Sequence, residues 1–252
     1  MQLAELTAPE VRALSKDLPV VIPVAALEQH GGHLPVFTDS MLLAEVIRRA
    51  AESLRAEVLF APLLWLGNSH HHLDYSGTLS ASPRTYLDVL NDLAENFIHH
   101  GFRRIVFLNG HGGNDVPGRQ AVFELRQKFR KRNDLLLIFG TYWLLGAPPG
   151  GADSAFHQKQ MGHACEWETS MILRLAPHLV REWRNLPPVE FGNPFEPAHR
   201  GWVTQDRSQP GHIGCPHLAT AEKGERLFEV FSQDAISLLR RVIAWDGESW
   251  SG

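Results

Sequence analysis

Only two cysteines, Cys165 and Cys215, occur in the chain. Two are far too few for a disulfide framework, and a reduced, cytoplasmic setting is expected. No run of apolar residues reaches membrane-spanning length. The opening stretch, MQLAELTAPEVRALSKDL, carries acids near its start and no long apolar core, so it does not read as a signal peptide. A basic block is also missing: net charge is −4, and the one Arg-rich stretch, Arg126–Arg132, is short and reads as the solvated face of a helix. That balance excludes nucleic acid and anionic membrane as main partners. Neither an internal repeat nor a separating linker interrupts the sequence, so residues 1–252 are expected to form one domain.

What is present begins with ordinary globular proportions, 44% apolar and 21% charged, which suffice for a substantial core. Apolar runs at Pro19–Leu27, Val58–Leu63, Ile105–Leu108 and Leu135–Phe139 read as buried strands. Helix-period segments alternate with them at Ser40–Arg55, Arg84–His100, Gly118–Arg132, Glu168–Leu175 and Glu222–Ile243. This order predicts the α/β class, a mainly parallel sheet sandwiched by helices. Three long loops, at 65–82, 146–162 and 186–214, are expected to be lids or interface segments.

The 14 histidines are the unusual count, and three clusters place some of them where ligands belong. In the first, Glu28-Gln29-His30 is followed by Gly31-Gly32-His33-Leu34-Pro35 and Thr38-Asp39. An extended backbone would turn Glu28 and His30 to one face. Asp39, just ahead of the helix at Ser40, would more plainly be its cap. In the second cluster, Asn109-Gly110-His111-Gly112-Gly113-Asn114 follows a strand directly. Sites in open parallel sheets gather at the carboxyl ends of strands, so His111 could meet Glu28 and His30 there; a plain glycine-rich turn is the alternative. The third is His163-Ala164-Cys165-Glu166-Trp167-Glu168-Thr169-Ser170, opening a helix. Either Glu166 or Glu168 could be simply an acid favoured by the helix dipole, and His163 a buried structural histidine.

EQHGGHLPVFTD, NGHGGN and HACEWETS resemble three signatures of the creatininase (creatinine amidohydrolase) family, and SGTLS at 76–80 and GCPHLATAEKGERL at 214–227 resemble its pattern too. The resemblance runs from the first strand to the last helix. It implies a dinuclear metal centre in which Glu28 holds one ion, His30 the other, Asp39 bridges both and His111 completes the Glu28 side. In creatininase a carboxylate stands two places after the counterpart of His111; here that place is Gly113. Glu168 is the candidate to replace it, with Glu166 the less favoured choice, and the departure puts creatinine itself in doubt as substrate. The resemblance also implies a homo-oligomer, in many members a hexamer.

An oxygen- and nitrogen-rich site without thiolates suits Zn²⁺ or Mn²⁺, with Fe²⁺ also compatible. A pair of such cations activates water for attack on a small amide carbonyl. His163, with an unperturbed pKa near ~6.5, is the candidate proton shuttle to the leaving nitrogen. Of His70, His71 and His72, one is expected to face the site, while Trp143 and Trp167 could stack on a flat substrate or be core. Three other outcomes compete. The same metal site could act on a formamide, a peptide or a cyclic keto-sugar; Cys165 beside His163 could be a thiol nucleophile; or the chain could bind metal without catalysis.

Overall fold

The strands β1 (Val20–Val24), β2 (Leu59–Phe60), β3 (Arg104–Asn109) and β4 (Leu136–Thr141) form one parallel sheet in the order β2-β1-β3-β4. The architecture comes from a computed structural model that describes residues 1–149 and 155–248. Gly150 and Gly151 of the expected 146–162 loop lie outside the described residues. Helices α1 (Ala8–Ala13), α2 (Thr38–Leu54), α3 (Pro83–His99), α4 (Asp115–Lys128), α5 (Glu166–Leu175), α6 (Thr204–Arg207) and α7 (Ala221–Ala244) complete the fold.

Alternation along the strands creates two cores. Val20, Ile22 and Val24 of β1 and Ile105 and Phe107 of β3 point to one face, where they meet Tyr86, Leu90 and Ala94 of α3 and Ala121 and Leu125 of α4. Val21, Val106 and Leu108 point to the other, against Leu43 and Val46 of α2, Met171 of α5 and Phe228 and Phe231 of α7. A sheet buried on both faces needs nearly continuous apolar strands, and β1, VVIPV, is buried at every residue. Pro23 fits inside it because β2 has already ended at that level, so no ladder bond is lost. The helical sandwich expected from the sequence is therefore the fold.

Two boundaries differ from expectation for local reasons. Helix α4 begins at Asp115, upstream of Pro117. Proline is harmless in a first turn, whose N–H groups have no intrahelical partner. Helix α2 begins at Thr38, so Asp39 lies inside its first turn and caps nothing.

The strand order reverses direction around β1: β2 lies on one side, and the chain then crosses over to place β3 on the other. Such a switch opens a crevice at the carboxyl ends of the two central strands. Val24 and Asn109, the last residues of β1 and β3, are register partners there. Among the described residues no helix is long and apolar enough to cross a membrane.

Helix α7 rests directly on α5 at Gly224, where an added Cβ would come within 2.0 Å of the Ser170 carbonyl oxygen. Gly224→Ala should therefore force the two helices apart and cost about 1–3 kcal/mol of stability, as overpacking does. Denaturant melts of the two proteins measure it, and equal midpoints would contradict the contact.

Candidate metal centre

The crevice is lined by three buried carboxylates, Glu28, Asp39 and Glu168, and by buried His30 and His111. Asp39 stands at the middle. Its Oδ1 lies 3.0 Å from His30 Nε2 and its Oδ2 lies 2.8 Å from His111 Nδ1. Glu168 Oε1 is 3.6 Å from His30 Nε2, and Glu28 Oε1 is 3.4 Å from His111 Nδ1. Ligand-type atoms of Glu28, His30 and Asp39 all lie within 4.8 Å of one another, as do those of His30, His163 and Glu168.

Hydrogen bonds behind the histidines aim them. The His30 Nδ1–H donates to the Glu28 carbonyl oxygen at 3.1 Å, which leaves Nε2 as a lone pair towards Asp39. His111 Nε2–H donates to the Asn68 carbonyl oxygen at 3.0 Å and leaves Nδ1 free on the carboxylate side. A ring nitrogen tied to backbone while the other faces carboxylates is how metal-ligating histidines are oriented. The NGHGGN turn holds His111 in turn. Asn109 Oδ1 accepts from the His111 backbone N–H, and Asn114 Nδ2 donates to the Ala25 carbonyl oxygen just past β1. The two asparagines staple the β3 turn to the β1 exit.

Two oxygens, Glu28 Oε2 and Glu168 Oε2, are buried without a hydrogen-bond donor, and Asp39 Oδ2 has only His111 Nδ1 beside it. Leaving buried charge so poorly satisfied is costly unless a cation compensates it. The charges of the cluster register this need. Burial opposes charging His111, yet Glu28 and Asp39 push its pKa up to about 10. Burial likewise opposes a charged His30, and Asp39 and Glu168 hold it well above the ordinary value. Glu168 is raised by burial and by its neighbours Asp39 and Glu28, against the pull of His30. A group of carboxylates that attracts protons this strongly to imidazoles also attracts divalent cations, which displace those protons. Orphaned oxygens, aimed imidazoles and a donor set of O and N atoms fit Zn²⁺ or Mn²⁺.

The structure separates the two glutamates of the third cluster. Glu166 is fully buried, but its carboxylate accepts from the backbone N–H of Gln158 at 2.9 Å and pairs with Lys223 of α7. Glu168, half a turn on, faces the cluster. Two expectations need correction. Glu28 and His30 lie beyond β1, which ends at Val24, so their convergence owes nothing to strand alternation. It follows from the pairing of Leu27 with Leu79 and of the Glu28 N–H with the Val36 carbonyl, which fold the segment back over the sheet end. Of the histidine tract, two members face inward, not one. His70–His72 form a single 3-10 turn, and both His71 and His72 line the cavity.

The room for His71 comes from Gly113. A Cβ there would lie 2.1 Å from the Asn68 carbonyl oxygen and 3.0 Å from His71 Cε1. No side chain fits at that position, so a carboxylate two places after His111 is sterically excluded by the 68–72 segment. Trp167 is buried core, while Trp143 borders the cavity. Cys165 is buried, with its thiol pushed up to about 12 by burial, and it makes no nucleophile.

Sequence reasoning missed Gln29. Its Oε1 accepts from the Gly31 N–H at 2.8 Å, which fixes the amide, and its Nε2 donates to the Gly211 carbonyl at 2.9 Å and lies 2.9 Å from both His72 Nδ1 and His163 Nε2. His72 Nδ1 also lies 2.5 Å from the Thr204 hydroxyl, and its Nε2 points at Glu28 Oε1 from 3.4 Å. Gln29 and Thr204 therefore hold the His72 ring against Glu28. Only contacts across more than forty residues reveal this, and no local pattern announces it.

The two glutamates give a direct test. Zn²⁺ at about 100 times its dissociation constant should add about 2.7 kcal/mol to stability. Glu168→Gln should shrink that gain with little change in metal-free stability. Glu166→Gln should cost about 3 kcal/mol, the penalty of a broken buried pair, and keep the Zn²⁺ gain. Thermal melts with and without Zn²⁺ read both, and the reverse pattern would exchange the roles of the two residues.

Comparison with known proteins gives the family. The family model for creatininase (creatinine amidohydrolase) matches residues 4–239. The mycofactocin precursor peptide peptidase of Mycobacterium tuberculosis is 33% identical over 250 residues, covering 92% of this chain and 90% of its own. The creatinine amidohydrolase of Pseudomonas putida is 30% identical over 251 residues, covering 92% of each chain. A solved mutant creatininase complexed with creatine superposes with a TM-score of 0.82 at 28% identity, over 96% of this chain and 98% of that one. Creatininase structures include a Zn–Zn form and a Mn form. The chain belongs to the creatininase family, whose members are metal-dependent hydrolases of carbon–nitrogen bonds.

Proposed function

We propose that the chain is an amidohydrolase that cleaves a C–N bond, a cyclic amide or formamide, of a small molecule with water activated between two divalent metal ions. In this reading Glu28, Asp39 and His111 hold one ion, and His30, Asp39 and Glu168 hold the other. The observation that carries it is Asp39, whose two oxygens face two different imidazoles from opposite sides at 3.0 and 2.8 Å. Zn²⁺, Mn²⁺ or both are the expected ions, with Fe²⁺ compatible with the same donors. Bound there, the pair supplies Lewis acidity, polarising a carbonyl and lowering the pKa of water to roughly 7.

The chain's own groups do the rest. With its proton on Nε2, His163 donates to the Gln29 carbonyl oxygen at 2.8 Å, beside the Gln29 side-chain nitrogen at 2.9 Å. Its Nδ1 lone pair then faces Glu28 Oε1 at 3.6 Å, inside the crevice. Burial, together with nearby His30 and His72, holds His163 well below the ordinary histidine value, so it is neutral at pH 7 and, once it has accepted a proton, gives it up readily. It takes that proton from the attacking water and delivers it from Nδ1 to the departing nitrogen. Rings of His30 and His72 flank it at 4.4 and 4.3 Å and restrict its rotation. Residue Ala164 is held at φ 47° directly after it, a strained backbone of the kind that sites retain when the surroundings enforce it.

A peptide bond is the second reading. Two adjoining cavities, of about 710 and 610 Å³, leave far more space than one small ring needs, and the peptide peptidase of M. tuberculosis is among the relatives. The same proposal treats residues 1–252 as one hydrolase domain and the chain as a homo-oligomer. The half-buried Leu136, Leu137 and Ile138 on the edge strand β4 support a self-association surface. Both cysteines are free, in keeping with a cytoplasmic setting.

A panel of lactams, formamides, short peptides and keto-inositols offered to the Zn²⁺- or Mn²⁺-loaded protein tests the reaction. Chelation should abolish turnover and iodoacetamide should spare it; the opposite result would refute the metal mechanism. His163→Asn should lower kcat by about 10²–10⁴ with little change in KM. It should also retain two metal ions per chain, and loss of an ion would make His163 a ligand instead of the shuttle.

A further inference from the structure

The cavity over the metal centre does not end there. It shares Met161, Phe191, Arg200, Trp202 and Arg207 with a second cavity of about 610 Å³. Each volume alone is in the range that takes a drug-sized ligand, about 300–1,000 Å³. The partition between them is cationic. Arg207 is half-buried, with its guanidinium carbon 4.9 Å from the centre of the Trp202 ring. Among the described residues neither Arg207 nor the exposed Arg200 has a side-chain hydrogen bond or an ion pair. The acids that border the second cavity, Glu196 and Asp206, are exposed, and Asp206 Oδ2 accepts from the Val203 N–H at 3.0 Å. Burial lowers the Arg207 pKa, the mark of a charge that has lost water without gaining a partner.

A half-buried, unpaired guanidinium is costly, whereas its planar fork matches carboxylate and phosphate oxygens. Its position is also fixed relative to the reaction centre. Helix α6 carries Arg207, and the hydroxyl of Thr204 at its start donates to the His71 carbonyl at 2.6 Å. Tyr75 OH donates to the carbonyl of Ser208 at its end at 2.8 Å. Trp202 packs edge-on against the His71 ring at 5.0 Å. The arginine is thereby latched to the histidine tract that borders Glu28.

We propose that Arg207, stacked on Trp202 and assisted by Arg200, binds an oxyanion, a carboxylate or a phosphate, carried by the substrate away from its scissile C–N bond. This rests on the reading that hydrolysis occurs at the Glu28–Asp39–Glu168 cluster. A neutral ring of creatinine's kind leaves this subsite unused; a substrate with an acidic terminus spans both cavities.

Calorimetry on the Zn²⁺-loaded protein tests it with three probes: N-acetylglycine, N-acetylglycinamide and the phosphate monoester of N-acetylethanolamine. At least one anionic probe should bind about tenfold or more tighter than the neutral amide, the worth of a charge-assisted contact. Preference for the carboxylate points to a peptide-like substrate, and preference for the phosphate to a phosphoester. Arg207→Gln should erase the preference with Zn²⁺ content unchanged. Arg200→Gln, an exposed change that leaves folding intact, should reduce it about two- to fivefold. Equal binding of charged and neutral probes, or no binding, overturns the proposal. So does a preference that survives Arg207→Gln, because the anion would then sit on the metals; if that variant fails to fold, a preference unmoved by Arg200→Gln overturns it instead. A protein with two Zn²⁺ per chain and no anion preference sinks this inference alone. A protein that takes up no metal but keeps the preference sinks the hydrolase reading and leaves the anion subsite standing.

Discussion

Three carboxylates buried within one crevice are the constraint around which the molecule is arranged. Glu28, Asp39 and Glu168 repel one another, and Glu28 and Glu168 each keep an oxygen without a donor. Water cannot screen them there, so the energy must come from cations or from protonated imidazoles. His30 and His111 stand where they serve either state, because each has its second nitrogen committed to a backbone carbonyl. The fold carries the cost of this arrangement with two large cores flanking a sheet that is buried on both faces.

The sheet order explains why these residues meet. Glu28 and His30 leave β1, His111 leaves β3, and the two strands are neighbours at the point where the winding reverses. Asp39 comes from the first turn of α2 and Glu168 from the first turn of α5, both on the same side of the sheet. Helix N-termini favour carboxylates electrostatically, so each acid sits where its helix partly offsets its charge. The close seat of α7 on α5 then sets the depth at which Glu168 reaches the crevice.

Strand and helix identities were legible because parallel strands leave long apolar runs and the helices keep their period. The Glu28, His30, Asp39, His111 and Glu168 set was legible from spacing and family resemblance. Its supports were not. Gln29, Asn68 and Thr204 act through contacts between segments far apart in sequence, and a hydrogen bond over such a distance leaves no periodic trace. The inward count for the histidine tract failed for a related reason. The 3-10 turn at 70–72 places adjacent side chains at wide angles, and which of them point inward depends on the space that Gly113 vacates in another segment.

That space links two features that the sequence presents separately. Gly113 stands where the family resemblance implies a carboxylate, and its missing Cβ admits the Asn68 carbonyl and His71. The same Asn68 carbonyl anchors His111 Nε2, and the His71 carbonyl anchors Thr204 at the head of the helix that presents Arg207. One glycine thus makes room for the carbonyl that orients His111 and for the turn that seats a wall of the cavity. Restoring an acid at 113 alone would therefore not regain a creatininase-like site, because Asn68 and His71 already occupy the volume it needs. The glycine at 113 and the shape of the cavity are thus linked through Asn68 and His71, so under the proposed function substrate choice is tied to the way the carboxylate cluster is built.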